Sequence, residues 1–549
     1  MNNFNLQREE IERVYGKISP FELKDKLISL AGESNESGAH SLLDAGRGNP
    51  NWIAASPREA FFTFGQFAVE ESRRTWSDND LAGMPQKKGI ARRFVDFVRR
   101  NENIKGIETL KKIINYGVTV KRFDADEWIY ELADGIIGDD YPVPDRMLKH
   151  VESVVHDYLI QELCYNEPLE RKFDLFAVEG ATAGMCYIFD SLIANNILSK
   201  GDKVALMAPI FTPYLEIPHL PRYNFEVVDI VANAAYKDGT CSGQYSDSEL
   251  KKLCDPSIKA LFVVNPSNPP SVAMKPQIVR YLKEMVENYN PNLMIISDDV
   301  YGTFVDDFHS LMADLPYNTI GVYSFSKYFG VTGWRLGTIA LYEDNVFDKL
   351  LRELDSDKKE RARRRYAALS TNPEEIPFID RIVADSRQVA LNHTAGLSTP
   401  QQVQMAFFAL FALVDKEDRY KNLTKSICHR RQKLLFKGLG LELKEDPFSA
   451  AYYTQFDLLE WAEHNYNKEF AEYLKSNYKP IDILMKLAEE SSIVLLSGSG
   501  FHGPEWSIRI SLANLNDESY SKIGEVIHKI LENYVEDWKK LKTAKIVKA

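Results

Sequence analysis

Short apolar runs recur between residues 173 and 329, and each is followed by turn residues and then by a segment of helix length. The runs are Leu175–Val178, Val204–Met207, Ala260–Val264, Leu293–Ile296 and Ile320–Tyr323. Short strands that alternate with helices are typical of a mainly parallel sheet whose two faces are covered by helices. The pattern therefore predicts an α/β domain built on such a sheet.

A cluster of polar and turn residues follows each predicted strand. In chain order the clusters read EGATAG, APIFTPY, NPSNPPS, SDDVYGTF and SFSK. Ligands of parallel sheets bind outside the carboxyl ends of the strands, because those ends meet at one edge. The sequence therefore predicts one binding site that is assembled from five separate segments of the chain.

The segments outside this block predict a second, smaller α/β domain, formed by the N-terminal and C-terminal segments together. Asp145–Leu163 has the apolar period of a helix, and the charged stretch DKKERARRRYAAL predicts a solvated helix face. Helix and strand patterns alternate again from about Gln401 onward. The predicted divisions are 1–60 as an N-terminal arm and small-domain segment, 61–140 as a helical insertion, 141–395 as the large domain, and 396–549 as the C-terminal small domain.

Composition narrows the classes of function. The 549 residues are 44% hydrophobic and 27% charged, and 67 basic against 79 acidic residues give a net charge of −12. This balance disfavours a nucleic-acid or polybasic membrane role. The five cysteines form no CxxC pair and the ten histidines show no metal-ligand spacing, so we expect neither a disulfide framework nor a metal. The polar N-terminus and the lack of a long apolar run predict a cytoplasmic protein.

Lys327 stands alone among aromatic and small residues in the stretch SFSKYFGVTGWRLG, directly after the last predicted strand. A lysine at a strand end becomes a useful nucleophile when burial or a neighbouring cation lowers its pKa. We therefore hypothesise that Lys327 forms a Schiff base with pyridoxal 5'-phosphate, the main cofactor of amino-acid chemistry. The alternative is a surface lysine in a loop.

The other strand ends carry the side chains that this cofactor needs. A phosphate needs hydroxyls, the N–H groups of a helix N-terminus and an arginine, while the pyridine nitrogen needs a carboxylate and the ring oxygen needs donors. The matching residues are Gly180, Ala181, Thr182, Ser324 and Arg335 for the phosphate, Asp298 for the nitrogen, Tyr301 and Asn268 for the oxygen, and Phe211 to stack on the ring. Each residue alone has an ordinary alternative as a turn cap or core residue. Their joint occurrence in this order favours a pyridoxal-phosphate site.

With these motifs the chain resembles the class I aminotransferase-like, fold-type I pyridoxal-phosphate enzymes over most of its length. The resemblance implies that Lys327 holds the cofactor, with Asp298 and Tyr301 as the other catalytic residues. It implies that Arg509, in SIRISLAN, binds the α-carboxylate of an amino-acid substrate by a bidentate fork. It also implies that Tyr141, in DDYPVPDR, reaches the phosphate of a neighbouring subunit, so that the protein is a homo-oligomer, at least a dimer.

A narrower resemblance rests on the motifs ISPFELKDKLI, LLDAGRGNPNW, DGIIGDDYPVPDRML and SGSGFHGPEWSIRISLANL. They look like those of the bacterial aspartate 4-decarboxylases, which also have aspartate aminotransferase activity and form large assemblies. Extra helical material around 60–135 and a charged insert around 353–390 lie where those enzymes are also expanded. This implies that L-aspartate loses its β-carboxylate to give L-alanine and CO₂, with side aminotransferase activity. The alternative is a plain aminotransferase that uses 2-oxoglutarate with aspartate or a related amino acid.

The two activities differ in how the substrate β-carboxylate is held. A strong arginine fork stabilises the charge that decarboxylation must discharge, so it favours transamination. Arg47, in DAGRGNP, is our candidate for contacting this group, and its alternative role is to tie the N-terminal arm to the main domain. A DNA-binding regulator would need a basic helix-turn-helix extension, whereas the first 40 residues are mixed in charge. An inactive scaffold is disfavoured because the lysine, aspartate, tyrosine and arginine occur together.

Overall fold

A computed structural model gives the fold of the chain over most of its length. The described residues are 13–15, 18–36, 41–141, 145–167, 169–232, 243–387 and 396–548. Within these ranges no helix combines the length and the apolar composition that a membrane crossing requires.

Helices and strands alternate along the described chain. The strands are β1 (Leu43–Asp44), β2 (Phe173–Val178), β3 (Lys203–Ala208), β4 (Glu226–Val231), β5 (Ile258–Val264), β6 (Met294–Asp298), β7 (Thr319–Ser324), β8 (Gly337–Tyr342), β9 (Tyr453–Asp457), β10 (Ile493–Val494), β11 (Leu496–Ser497) and β12 (Ser507–Ser511). The helices are α1 (Pro20–Glu36), α2 (Ala55–Arg74), α3 (Ile90–Arg100), α4 (Ile107–Thr119), α5 (Ala125–Ile137), α6 (Lys149–Leu163), α7 (Ala181–Ala194), α8 (Thr212–Glu216), α9 (Asp247–Leu250), α10 (Pro276–Tyr289), α11 (Leu311–Asp314), α12 (Val346–Arg352), α13 (Ser356–Tyr366), α14 (Phe378–Ser386), α15 (Thr399–Val414), α16 (Arg419–Gly438), α17 (Leu458–Asn465), α18 (Lys468–Asn477), α19 (Asp482–Ser491) and α20 (Asp517–Lys548).

A seven-stranded sheet forms the centre of the larger part of the molecule, in the order β2-β8-β7-β6-β5-β3-β4. The strands from β7 to β4 in this order pair in parallel, and β8 pairs antiparallel with both β7 and β2. The predicted α/β fold with a mainly parallel sheet is confirmed. The five predicted strands all run in one direction, so their carboxyl ends lie at one edge of the sheet.

Two strands of this sheet escaped the sequence pattern for different reasons. Strand β4 is an edge strand in which the two end residues are exposed, three are half-buried and only Ile230 is buried, so it lacks a continuous buried apolar run. Strand β8 is fully buried but runs antiparallel to its neighbours β7 and β2. The twelve residues between β7 and β8 contain only the short 3₁₀ turn Thr332–Trp334, and such a link is too short for the helical crossover that parallel strands require.

The N-terminal and C-terminal segments share a second core. Strand β1 pairs in parallel with β10, while β9, β12 and β11 form an antiparallel sheet. Apolar side chains of α1, α19 and α20 meet in one cluster, among them Leu27, Leu484 and Ile523. The predicted smaller α/β domain, built from both ends of the chain, is therefore confirmed.

The helices of the predicted insertion pack against the larger core. Phe64 of α2 and Trp128 of α5 belong to the same apolar cluster as the central sheet, and so does Phe407 of α15. In the C-terminal half of the chain, the first buried residue of the second core is Leu435, in the last turns of α16. The four predicted divisions, including the start of the small domain at residue 396, stay predictions.

Candidate active site

A cavity of about 220 Å³ opens at the carboxyl ends of the central strands. Its lining brings together the predicted residues Ala181, Thr182, Phe211, Asn268, Asp298, Tyr301, Ser324, Lys327, Arg335 and Arg509. These side chains come from eight separate helices, strands and turns of both cores. The fold thus brings together side chains that are spread over more than 300 residues of the chain, as expected for a site at the carboxyl edge of a parallel sheet. The role of each residue remains a prediction.

Lys327 lies in the turn after β7, with its amine beside the N-terminal segment. Lys327 Nζ donates a hydrogen bond to the carbonyl oxygen of Gly48 over 3.0 Å, and the Tyr452 hydroxyl donates to the same oxygen over 2.8 Å. A methyl group built on Gly48 would lie 3.2 Å from Nζ. The segment that contains Gly48 therefore lies directly against the amine of the lysine.

Asp298, the last residue of β6, is 5% exposed. Its carboxylate accepts hydrogen bonds from the Tyr214 hydroxyl over 2.6 Å and from the backbone N–H of Val300 over 3.2 Å. Burial raises the pKa of Asp298 to about 6, although both hydrogen bonds and the charge of Lys327 pull it down. A protonated nitrogen placed against this carboxylate would relieve the cost of burying its charge.

The opposite end of the cavity is suited to an anion. Helix α7 begins at Ala181, and no side chain caps the N–H groups of its first turn. The Ser324 and Ser326 hydroxyls lie 2.9 Å apart, and Arg335 is anchored through its Nη2 to the carbonyl oxygen of Glu179 over 3.2 Å. Free helix N–H groups, hydroxyls and a guanidinium together form a phosphate-binding arrangement.

Arg509, on β12, is 1% exposed and holds its charge inside the protein. Its Nη2 donates to the carbonyl oxygen of Gly46 over 2.7 Å, and its guanidinium lies between the rings of Tyr453 and Phe501, at 4.4 and 4.7 Å from their centres. Among the described residues no partner reaches its buried Nε, and no carboxylate pairs with it. Burial lowers the pKa of this guanidinium. A substrate carboxylate would supply the missing partner.

Several residues of the cavity lining were not predicted from the sequence, among them Tyr214 and Tyr453, whose hydroxyls contact predicted residues. Tyr214 follows Phe211 by one helical turn, which was a usable signal, because residues three apart share a helix face. Tyr453 lies on β9 and accepts a hydrogen bond from the Tyr301 hydroxyl over 3.1 Å. No local pattern could reveal this contact, since it joins residues 152 positions apart.

Gly180, which precedes α7, is not part of the cavity lining, and neither are Tyr141 and Arg47. Tyr141 is 68% exposed at the surface of the chain. The Arg47 side chain is 59% exposed, and its Nε donates to Asp44 Oδ2 over 3.0 Å. The Arg47 guanidinium therefore pairs with a neighbour in its own segment. The proposed roles of all three residues stay predictions.

A larger cleft, of about 810 Å³, lies between α16 and the loop before β9. Its charged groups satisfy one another, because Lys433 pairs with Glu445 at 2.6 Å and Lys425 pairs with Asp306. It contains none of the predicted site residues. The smaller cavity is therefore the better candidate for chemistry.

The comparisons with known proteins agree with this geometry. Residues 179–527 match the family described as aminotransferase class I and II. The chain is 45% identical over 532 residues to a bifunctional aspartate aminotransferase and L-aspartate beta-decarboxylase of Pseudomonas sp.. The aligned region covers 96% of this chain and 98% of that relative. A solved Thermus thermophilus aspartate aminotransferase double mutant has a TM-score of 0.57 at 16% identity, over 92% of this chain and 96% of its own. An aromatic aminotransferase from Pyrococcus horikoshii OT3 has a TM-score of 0.55 at 18% identity, over 92% and 99%.

Enzymes of that family depend on pyridoxal 5'-phosphate, and the cavity fits this cofactor. The buried carboxylate of Asp298 suits a protonated ring nitrogen, and the uncapped start of α7, together with Arg335, suits a phosphate. The cofactor predicted from the sequence is thus supported by donor and acceptor chemistry as well as by sequence similarity. The chain belongs to the class I and II aminotransferase family, whose cofactor is pyridoxal 5'-phosphate.

Proposed function

We propose that this protein removes the β-carboxylate of L-aspartate to form L-alanine and CO₂, with aspartate aminotransferase activity as a side reaction. The observation that carries the proposal is the 45% identity to the bifunctional Pseudomonas enzyme, which extends over nearly the whole of both chains. A match of this extent includes the helical insertion before the family domain. A plain aspartate aminotransferase is the alternative.

The proposed cofactor contacts come almost entirely from the large core. Lys327 would hold the cofactor covalently, and Asp298 would keep its ring nitrogen protonated. Tyr301 and Asn268 would donate to the ring oxygen, and Phe211 would stack on the ring. The remaining contacts would hold the phosphate: the N–H groups of Ala181 and Thr182, the Ser324 hydroxyl and the Arg335 guanidinium.

Bound pyridoxal phosphate supplies an electron sink for the bonds at the substrate Cα. Lys327 Nζ removes the proton from Cα and returns it, because its amine lies in the cavity beside Gly48. Arg509, whose buried Nε lacks a partner among the described residues, fixes the α-carboxylate and so orients Cα toward the lysine. Asp298, assisted by the Tyr214 hydroxyl, stabilises the positive ring nitrogen throughout.

The lining of the cavity favours loss of the β-carboxylate. Among its described residues the arginines are Arg335, at the phosphate end, and Arg509, which we assign to the α-carboxylate. Within one chain this leaves no third guanidinium in the lining to fork the β-carboxylate. A loosely held carboxylate discharges more readily as CO₂ than one stabilised by a bidentate pair.

The proposal includes a homo-oligomer of at least two subunits. Tyr141 is exposed on its own subunit, as a residue that contacts the phosphate of a neighbouring subunit would be. Removal of its hydroxyl, in Tyr141→Phe, should then weaken binding of pyridoxal phosphate, whereas an unchanged affinity would contradict this role.

The proposed reaction is tested with purified protein, pyridoxal phosphate and L-aspartate, with and without 2-oxoglutarate. We expect alanine and CO₂ in amounts exceeding the protein when 2-oxoglutarate is omitted. Oxaloacetate and glutamate that form only when it is present would instead identify a plain aminotransferase. Lys327→Ala is the control, because it keeps the fold but removes the amine on which either reaction depends.

A further inference from the structure

Tyr453 enters the candidate active site from the sheet of the small domain. Its hydroxyl accepts a hydrogen bond from Tyr301 over 3.1 Å. A methyl group built on Gly48 would lie 2.5 Å from this hydroxyl and 3.2 Å from Lys327 Nζ. The hydroxyl of Tyr453 and the amine of Lys327 therefore face the same small space.

A cation lies against the ring of Tyr453. The guanidinium carbon of Arg509 is 4.4 Å from the ring centre, and both residues are buried. Tyr453 therefore shares one buried polar lining with Arg509 and Lys327.

Decarboxylation at Cβ requires an acid at that carbon. The bond between Cβ and the carboxylate carbon breaks, CO₂ leaves, and alanine forms only when Cβ takes up a proton in its place. Lys327 is assigned to the proton at Cα. A separate donor beside the lysine would let Cβ be protonated without the amine serving both carbons.

Few described residues of the cavity can fill this role. Tyr214 is committed to Asp298, and Ser324 is bonded to Ser326 at the phosphate end. Serine and threonine hydroxyls are also far weaker acids than a phenol. Tyr301 is assigned to the cofactor ring oxygen, which leaves Tyr453 as the phenol of the lining with no other assigned role.

We propose that Tyr453 is the catalytic acid that protonates Cβ and thereby sets the share of aspartate that leaves as alanine. The inference rests on the proposed decarboxylase function. The O–H bond of Tyr453 breaks and a C–H bond forms at Cβ, made with the electron pair that the departing CO₂ leaves behind. One proton from solvent then restores the Tyr453 hydroxyl, which balances the replacement of a β-carboxylate by neutral CO₂.

The test compares Tyr453→Phe with the unchanged holoenzyme. We expect the ratio of alanine to oxaloacetate to fall roughly tenfold to hundredfold, because a general acid is lost while the transamination machinery stays. Absorbance titration with pyridoxal phosphate and calorimetry with succinate, an unreactive dicarboxylate, should give unchanged affinities. The matched control is Tyr520→Phe, which removes a buried hydroxyl that accepts a hydrogen bond from the backbone N–H of Leu515 over 3.1 Å and lies outside the cavity lining.

An unchanged product ratio in Tyr453→Phe overturns the proposal, and so does a loss of cofactor or succinate binding, since the hydroxyl would then serve binding.

A measurement on the unchanged enzyme tests the same step without a variant. In D₂O, alanine formation should slow by roughly twofold or more relative to oxaloacetate formation, and equal slowing contradicts a proton transfer at Cβ. If the unchanged enzyme makes no alanine without 2-oxoglutarate, the proposed function itself fails, and that result is read before any variant is made.

Discussion

Replacement of Asp298 by asparagine tests whether its buried carboxylate is poised for a cation. Burial raises the pKa of Asp298 to about 6, against an ordinary value of 3.8. A rise of about two units corresponds to about 3 kcal/mol, by which folding of the cofactor-free protein is penalised for carrying this charge. Asparagine keeps the size and one acceptor oxygen for the Tyr214 hydroxyl but carries no charge.

The pH dependence of this penalty has a definite sign. Because the folded pKa lies above the unfolded one, the penalty is absent below about pH 4, grows as the pH rises, and is complete above about pH 7. We expect cofactor-free Asp298→Asn to exceed the unchanged apoprotein in free energy of unfolding by about 1–2 kcal/mol at pH 5 and about 3 kcal/mol at pH 8.

Urea unfolding of both apoproteins at the two pH values measures this difference. Asp344→Asn, at an exposed position, is the control and should show no such trend. With pyridoxal phosphate bound the order should reverse, because a protonated ring nitrogen pairs with a carboxylate and not with an amide. Turnover of aspartate should fall roughly hundredfold to thousandfold in the variant. A stability gain that is missing at pH 8, or larger at pH 5 than at pH 8, would refute this account of Asp298.

Three further substitutions probe the two ends of the cavity and its N-terminal segment. Arg509→Lys should lower kcat/KM for aspartate roughly hundredfold while cofactor affinity stays unchanged, because lysine cannot form the bidentate fork; steady-state kinetics and absorbance titration check this. Gly180→Ala should weaken cofactor binding roughly tenfold, since Gly180 has a φ of +88° and an added methyl would collide with Arg335 Nη2; equal affinity in the titration would count against the phosphate assignment. Arg47→Ala should raise the ratio of alanine to oxaloacetate if Arg47 contacts the β-carboxylate, and an unchanged ratio would leave it only its bond to Asp44.

The sequence predicted the central sheet well because its strands are buried on both faces. Strand β7, for example, has every residue buried, and so it reads as an uninterrupted apolar run. Strand β4 lies at the edge with mixed exposure, and strand β8 reverses direction, so neither follows the repeating pattern. Local pattern thus revealed the strands whose environment is uniform and missed those whose environment depends on their place in the sheet.

The candidate site shows the same division. Asp298 and Lys327 directly follow predicted strands, so the rule for parallel sheets places them at one edge. Tyr453 reaches the cavity through the pairing of β9 with β12 and through the docking of two cores. That docking depends on packing between distant segments, which no periodicity within a segment records.

This division has a consequence for the chemistry. The residues that we assign to the phosphate and the ring nitrogen all belong to the large core, whereas Arg509 and Tyr453 come from the sheet of the small domain. The two sets meet at the N-terminal segment, where Gly46 accepts from Arg509 and Gly48 accepts from Lys327. Under these assignments the large core would determine which cofactor is bound, and the small domain, joined to it by this segment, would determine how the substrate is oriented and where it is protonated. Relatives can then keep one cofactor site and change the reaction through residues of the second sheet.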